Sequence, residues 1–253
     1  MIPFIQSDAL KQLVNIHHGF TTRQGGVSTG CFDSLNVAKN KGDFTAHVIE
    51  NLRRIAVTFQ VSPENLITLN QTHTNKVEIV DESWTSTTLK EADALVTRTP
   101  GKLLGVMTAD CVPVLLTDPH NNVIAAVHAG WRGAVTGIIQ NTIAAMVSCG
   151  AESSLIQAAI GPCIWQSSYE VDQHFYKSLP QAADLFIPSN RPDHWLFDLP
   201  GFVKRTLSQE KITTITPSLY DTYRHPEMFF SCRRKTHLNE ENFGCSLSVI
   251  TLR

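Results

Sequence analysis

Two histidines and a cysteine stand at the ends of apolar runs in the middle of this chain. Asn70-Gln71-Thr72-His73 follows Leu66–Leu69, Asp110-Cys111 follows Leu103–Met107, and His128 closes Val123–Val127. Polar residues held at strand ends by a rigid sheet are where active sites are commonly built. A His/Cys/His set is borderline-soft, which suits Zn2+, with Cu2+ as its competitor. Three protein donors leave a position open for chemistry, whereas structural sites close the ion with four. Spacing argues less: 38 residues separate His73 from Cys111 and 17 separate Cys111 from His128, so only the tertiary fold can gather them. A buried thiol near two hydrogen-bonded histidines is the plainer alternative for these residue types. The segment HAGWRG at 128–133 favours a site. Its glycines allow close backbone approach, and Arg132 at a helix N-terminus suits an anionic ligand beside a metal. Trp131 is expected in the core, or else as a flat wall for a ring-shaped substrate.

The elements that must position these residues follow from periodicity. Apolar runs at Leu103–Met107, Val112–Leu116, Val123–Val127, Leu155–Ile160 and Ser246–Leu252 read as strands. Helical spacing predicts a helix over Thr45–Phe59, capped by Asp43 or Thr45. A second helix is expected to run unbroken from Arg132 to Ser148, with Gly150 as its C-terminal stop. Ser167-x-x-Glu170 reads as a capping box opening a helix through Phe175 and Leu179. Segment 21–30, TTRQGGVSTG, is a glycine-rich loop outside any strand–GxGxxG–helix context. Strands and helices interleave, so the class is mixed α/β, and residues 1–253 show no linker or repeat and read as a single domain.

The 253 residues are 42% hydrophobic and 17% charged, a balance and length that can bury a core without disulfides or structural metal. A bound metal is therefore expected to serve function rather than folding. A net charge of −2 gives no reason to expect nucleic acid or an anionic membrane as partner. The N-terminus lacks the positive start and unbroken apolar core of a signal peptide, and no run approaches the roughly 20 apolar residues of a membrane span. A cytoplasmic protein is expected, as a monomer or weak homo-oligomer. The six cysteines form no CxxC pair, so most, Cys163 included, are expected as buried thiols. His17, His18 and His225 are expected in loops or at strand ends without metal.

The chain resembles a known family, the YfiH-like proteins, which are described as laccase-domain or polyphenol oxidase proteins and as purine nucleoside phosphorylases. The resemblance rests on TTRQGGVS at 21–28, SLNVA at 34–38, NQTHTNKV at 70–77, ADALVT at 92–97, TADCVPVLL at 108–116, HAGWRG at 128–133, GPCIWQSSYEV at 161–171 and FFSCRR at 229–234. It implies a layered α/β/β/α fold with mixed sheets (α+β), similar to a toxin deamidase domain. It also implies metal ligation by His73, Cys111 and His128. The implied activity is phosphorolysis of adenosine, inosine, guanosine and S-methyl-5'-thioadenosine, with adenosine deamination at the same site. Thr74 departs from the family's usual glycine, and its side chain is expected to narrow the pocket. The laccase description fits less well, because a multicopper oxidase needs several His-x-His pairs that this chain lacks.

Deamination at such a site calls for water activated by zinc and a carboxylate to move the proton. Asp110 is the candidate, with a cap or a partner orienting His73 or His128 as its alternative role. Phosphorolysis needs phosphate held near the sugar carbon, for which Arg132, Arg23 and Arg233 are candidates; Gln71 could hydrogen-bond the base or ribose. A competing reading makes Cys111 a nucleophile and His128 its base in an amide hydrolase that edits peptidoglycan precursors. A third reading is a zinc-dependent binding protein without catalysis.

Overall fold

The computed structural model describes residues 2–84 and 90–253. Its strands and helices run in the order β1 (Phe4–Ile5), β2 (Ile16–Thr21), α1 (Thr45–Thr58), β3 (Leu66–Ile67), β4 (Val77–Val80), β5 (Ala94–Thr97), β6 (Leu103–Thr108), β7 (Val112–Asp118), β8 (Val123–Ala129), α2 (Trp131–Thr136), α3 (Ile138–Ser148), β9 (Gln157–Ile160), β10 (Glu170–Asp172), α4 (Gln173–Ser178), β11 (Phe186–Pro188), β12 (His194–Phe197), α5 (Leu199–Gln209), β13 (Thr214–Thr216), α6 (Cys232–Leu238) and β14 (Ser246–Leu252). Six strands form one sheet in the order β13-β9-β7-β8-β5-β4, five form another in the order β1-β2-β14-β6-β3, and β10-β12-β11 make a small third. Both large sheets are mixed: β13 with β9, β4 with β5, and β3 with β6 are parallel, while β7 runs antiparallel to β8 and β9.

The apolar runs explain the layering. Side chains alternate across a strand, so a run with no polar alternation must be covered on both faces. Val96, Val114 and Val127 point to one side of the six-stranded sheet and pack on Ile139 and Ile143 of α3 and Val203 of α5. Leu95, Leu115 and Ile124 point to the other side, where they meet Leu104, Val106 and Ile250 of the five-stranded sheet. The far face of that sheet, with Leu103, Leu247 and Val249, is covered by Ile55 of α1 and Phe59 just beyond it. The stack is thus helix, sheet, sheet, helix, the layered α+β arrangement that the resemblance implies. Truncating a fully buried leucine such as Leu115 would cost about 2–5 kcal/mol. No helix among the described residues is long and apolar enough to cross a membrane.

Several local expectations are corrected. Neither Asp43 nor Thr45 caps α1; Phe44 is the N-cap, and the Asp43 carboxylate accepts from Ser28 Oγ (2.6 Å), Asn36 Nδ2 (2.8 Å) and the Phe44 amide (2.8 Å). The helix expected from Arg132 to Ser148 is two, because Gly137 takes φ +98° and breaks it between α2 and α3. Gly150, at φ +100°, ends α3 as expected. Ser167 and Glu170 form no capping box: Glu170 pairs with Leu196 across the small sheet, and Asp172 caps α4 by accepting from the Phe175 amide (2.8 Å). The strand expected from Leu155 starts at Gln157, after a short 3-10 turn. His17 and His18 lie inside β2 rather than in a loop.

One connection matters most for the site. β6 and β7 belong to different sheets, and only Ala109, Asp110 and Cys111 join them. Asp110 takes φ +92° to turn the chain that sharply, in a region where side-chain-bearing residues are strained.

Candidate metal centre

His73 hangs on the connection between β3 and β4, Cys111 ends the passage from β6 to β7, and His128 is the penultimate residue of β8. One donor atom from each lies within 4.8 Å of the others. The two imidazoles meet edge-on, with centroids 4.8 Å apart. Among the described residues this is the one group of three or more His, Cys, Asp or Glu gathered closely enough for a metal ion.

The backbone around the trio is shaped for that approach. A Cβ added at Gly130 would lie 2.5 Å from His73 Nδ1 and 3.2 Å from Cys111 Sγ, so a side chain there would push into two of the three donors. His73 itself sits at φ +60°, a left-handed conformation held by its surroundings.

Those surroundings are organised by Asp93, a residue that sequence reasoning misses. Asp93 Oδ1 accepts from the His73 amide (3.0 Å) and lies 2.7 Å from His128 Nδ1. Its Oδ2 accepts from the Thr74 amide (2.7 Å), the Thr74 hydroxyl (2.8 Å) and the Thr72 amide (3.3 Å). Burial alone would raise this carboxyl, but hydrogen bonds from His128 and Thr74 hold it at about 2. An ionised carboxylate beside Nδ1 fixes the proton there and leaves the lone pair on Nε2. Thr74 is therefore turned into Asp93 and lies outside the lining of the trio's cavity, so it does not narrow the pocket as expected.

The remaining protonation states suit ligation. Burial, and next the charge of His128, lowers the proton affinity of His73 and favours its neutral ring. Burial, reinforced by the Asp110 carboxyl, pushes the Cys111 thiol far above its ordinary range. A dication is the compensation that ionises such a thiol, since coordination deprotonates it. The donor set and the Gly130 cradle both fit a metal.

Asp110 occupies a different position from the one expected of a proton carrier. Its Oδ1 accepts from Thr222 Oγ1 (2.7 Å), and its Oδ2 from Ser231 Oγ (2.9 Å) and the Arg233 amide (2.6 Å). Burial raises this carboxyl despite those bonds. The orienting of His128 that Asp110 was a candidate for falls to Asp93.

The trio lines a cavity of about 410 Å3, within the range of small-molecule sites, together with Lys41, Gln71, Met107 and Phe243. The Gln71 amide is committed to β6: Nε2 donates to the Met107 carbonyl and Oε1 accepts from the Met107 amide, both at 2.7 Å. One N–H and one lone pair remain for a ligand. Arg132 and Arg233 line a separate cavity of about 700 Å3 with Trp131, Tyr169, Glu170 and Arg191. Trp131 is half-buried against the core, packing edge-on on Phe175 at 4.7 Å, and its exposed part lines that cavity. Arg23 lines neither cavity. Its Nε donates to the Asp33 carbonyl (2.6 Å) and Nη1 to the Pro226 carbonyl (3.0 Å), which ties the glycine-rich loop to segment 226–230. Arg23 is thus placed as a clamp between these segments, outside the trio's cavity.

Residues 17–253 match the family described as multi-copper polyphenol oxidoreductase laccase. The chain belongs to that family. It is 36% identical over 221 residues to a purine nucleoside phosphorylase of Rickettsia conorii, covering 86% of this chain and 90% of the relative. It is 44% identical over 158 residues to a purine nucleoside phosphorylase of Deinococcus radiodurans, covering 62% of this chain and 60% of the relative. The fold matches the hypothetical protein YfiH of Bacillus licheniformis with a TM-score of 0.90, at 28% identity and 99% coverage of both chains. A Neisseria meningitidis protein, NMB0706, matches with a TM-score of 0.86, at 32% identity and 98% coverage of both. The family description speaks of several coppers, whereas the described residues of this member gather a single His/Cys/His group.

Proposed function

We propose that the chain is a metal-dependent purine nucleoside phosphorylase acting on adenosine, inosine, guanosine and S-methyl-5'-thioadenosine, with adenosine deamination at the same site. The ion is Zn2+, with Cu2+ as its competitor, held by His73, Cys111 and His128. The observation that carries this reading is the convergence of those donors on one ligand-sized cavity. The names of relatives that span most of the chain supply the substrate class. When bound, the ion supplies Lewis-acid polarisation and an open coordination position.

The chain's own residues do the rest. Asp93 fixes the His128 tautomer and the left-handed turn at His73, so both imidazoles arrive preorganised. Gly130 leaves room for the donors to close. Apolar walls at Val37, Leu69, Met107 and Phe243 suit a purine ring, and the spare N–H and lone pair of Gln71 can meet its edge. The Arg132 charge is felt at His73, and with Arg233 it supplies positive potential in the second cavity. Asp110 positions Cys111 and the segment carrying Arg233 rather than moving a proton.

The direct test is purified protein analysed for metal and given inosine with phosphate. About one zinc per chain, hypoxanthine release, and loss of release with EDTA support the reading. The amide-hydrolase alternative predicts the reverse: metal-free protein stays active and iodoacetamide labels Cys111 rapidly. The Cys111 thiol is half-buried in the cavity wall with its proton affinity raised by desolvation, which favours the ligand role over a free thiolate nucleophile. Phenol oxidation by several coppers finds one metal group among the described residues.

A further inference from the structure

The trio's cavity has no carboxylate in its lining, yet two lysines, Lys39 and Lys41, stand on its wall. Neither forms an ion pair among the described residues. Lys39 is exposed at the rim, while Lys41 is half-buried, its ammonium 4.4 Å from the centroid of Phe243, another wall residue. A cation–π contact of this kind holds the ammonium in place without neutralising it. The acid closest in sequence, Asp43, is spent on Ser28, Asn36 and its neighbour's amide. The charge on Lys41 reaches His73, Cys232 and Cys245, all of which line the same cavity.

The neighbouring cavity differs in this respect. Its cations, Arg132, Arg191 and Arg233, share the lining with Glu170 and Asp172, and Arg191 pairs with Glu170 at 3.1 Å. Arg233 also donates to the Glu170 carbonyl (2.7 Å). That cavity thus carries two carboxylates in its lining and one paired arginine, whereas the lining around Lys41 offers no carboxylate. An uncompensated, fixed cation in a cavity free of carboxylates is an anion subsite.

We infer that Lys41, backed by Lys39 at the rim, binds a phosphoryl group in the trio's cavity. The inference rests on the nucleoside reading and moves the phosphate expected at Arg132 and Arg233 into the trio's own cavity. The phosphoryl group has two chemical sources: free orthophosphate as co-substrate, or the phosphate ester of a nucleoside 5'-monophosphate. Both ask the same of Lys41, a charge-assisted hydrogen bond from an ammonium with no competing carboxylate.

The test is calorimetric titration of the zinc-loaded chain with orthophosphate and, separately, with inosine 5'-monophosphate, in wild type, Lys41→Met, Lys41→Arg and Lys39→Met. At least one probe is expected to bind wild type and to lose about ten-fold or more in affinity in Lys41→Met. Lys41→Arg should recover most of that loss, and Lys39→Met should show a smaller one. A loss confined to orthophosphate identifies the co-substrate; a loss confined to the monophosphate identifies the ester. The inference is overturned if Lys41→Met, with unchanged circular dichroism and melting temperature, binds both probes like wild type, or if wild type binds neither. If Lys41-dependent binding is found but inosine with phosphate yields no hypoxanthine, phosphorolysis fails and the subsite stands.

Discussion

Two buried carboxylates flank the metal centre, and they do opposite things. Asp93 spends its oxygens on the His73 and His128 side, on an imidazole N–H and the amides of a three-residue turn. Asp110 spends its oxygens on the Cys111 side, on two hydroxyls and the amide of Arg233. The first is held at about 2 by its donors, while burial wins over donors at the second and raises it. A carboxylate that must stay ionised to orient a ligand is given a cationic or polarised partner. One that only ties segments together can tolerate a rising proton affinity. Proximity to a metal trio therefore does not reveal which acid serves the ion; the partners of its oxygens do.

That contrast can be broken by experiment. Asp93→Ala strands an imidazole N–H and several amides, and should cost about 3–5 kcal/mol in urea unfolding while lowering zinc affinity roughly 10–100-fold in a chelator competition. Zinc affinity unchanged in a folded Asp93→Ala chain would end its role as orienting partner. Next in size, Gly130→Ala drives a methyl group toward His73 and Cys111. It should cost about 1–3 kcal/mol and reduce bound zinc, as read by metal analysis after dialysis. Asp110→Asn keeps the shape and two of the acceptor contacts, so about 1–2 kcal/mol of stability should be lost with zinc content and the pH profile of turnover preserved. Deamination abolished in that variant, with stability intact, would restore Asp110 as proton carrier.

The smallest effect is a control on the acid side. His18 is fully buried; its Nε2 accepts from the Ser7 amide (2.9 Å), and its Nδ1 has no partner. Burial, and then the neighbouring His17, lower it to about 4. The folded chain thus binds fewer protons there than the unfolded chain, so the stability it confers is present above the ordinary histidine value and is lost as pH falls from 6.5 toward 4. About 1 kcal/mol should disappear between pH 7.5 and pH 5.5 in wild type and be retained in His18→Gln. Equal losses in both chains would place the acid sensitivity elsewhere.

The mixed α/β class and the trio are legible in the sequence for physical reasons, while the layering is legible through the family resemblance. Apolar runs such as Val112–Leu116 have no polar alternation and demand covering on both faces, and His, Cys and His are few enough to stand out at their ends. Asp93 is hidden because its role exists only once β5 is registered against β8. The pairing of Ala94 with Val127 brings the Asp93 carbonyl to the His128 amide (2.7 Å) and its carboxylate to the ring. In the sequence it is one aspartate before an apolar run, indistinguishable from a turn residue. Arg23 shows the converse: an arginine suggests an anion, yet two of its five N–H donors go to backbone carbonyls, which leave no mark in a sequence. The break at Gly137 is masked because the apolar period of Val135, Ile138 and Ile139 carries across it. Lys41 lies in KNKGD, which looks like an ordinary solvated loop until Phe243 arrives from the other end of the chain.

The short passage from β6 to β7 makes the centre mechanical as well as chemical. Cys111 is stapled to one crossing between the large sheets, and His73 hangs on another, the connection from β3 to β4. His128 rides inside the six-stranded sheet. If the proposed ion is held by these three side chains, it would join both crossings to the six-stranded sheet, and hydrogen exchange in β6 and β7 with and without zinc should then differ. The apolar core between the sheets would hold the stack without the ion, so loss of the metal should loosen the crossings that carry Cys111 and His73 and leave the layers packed.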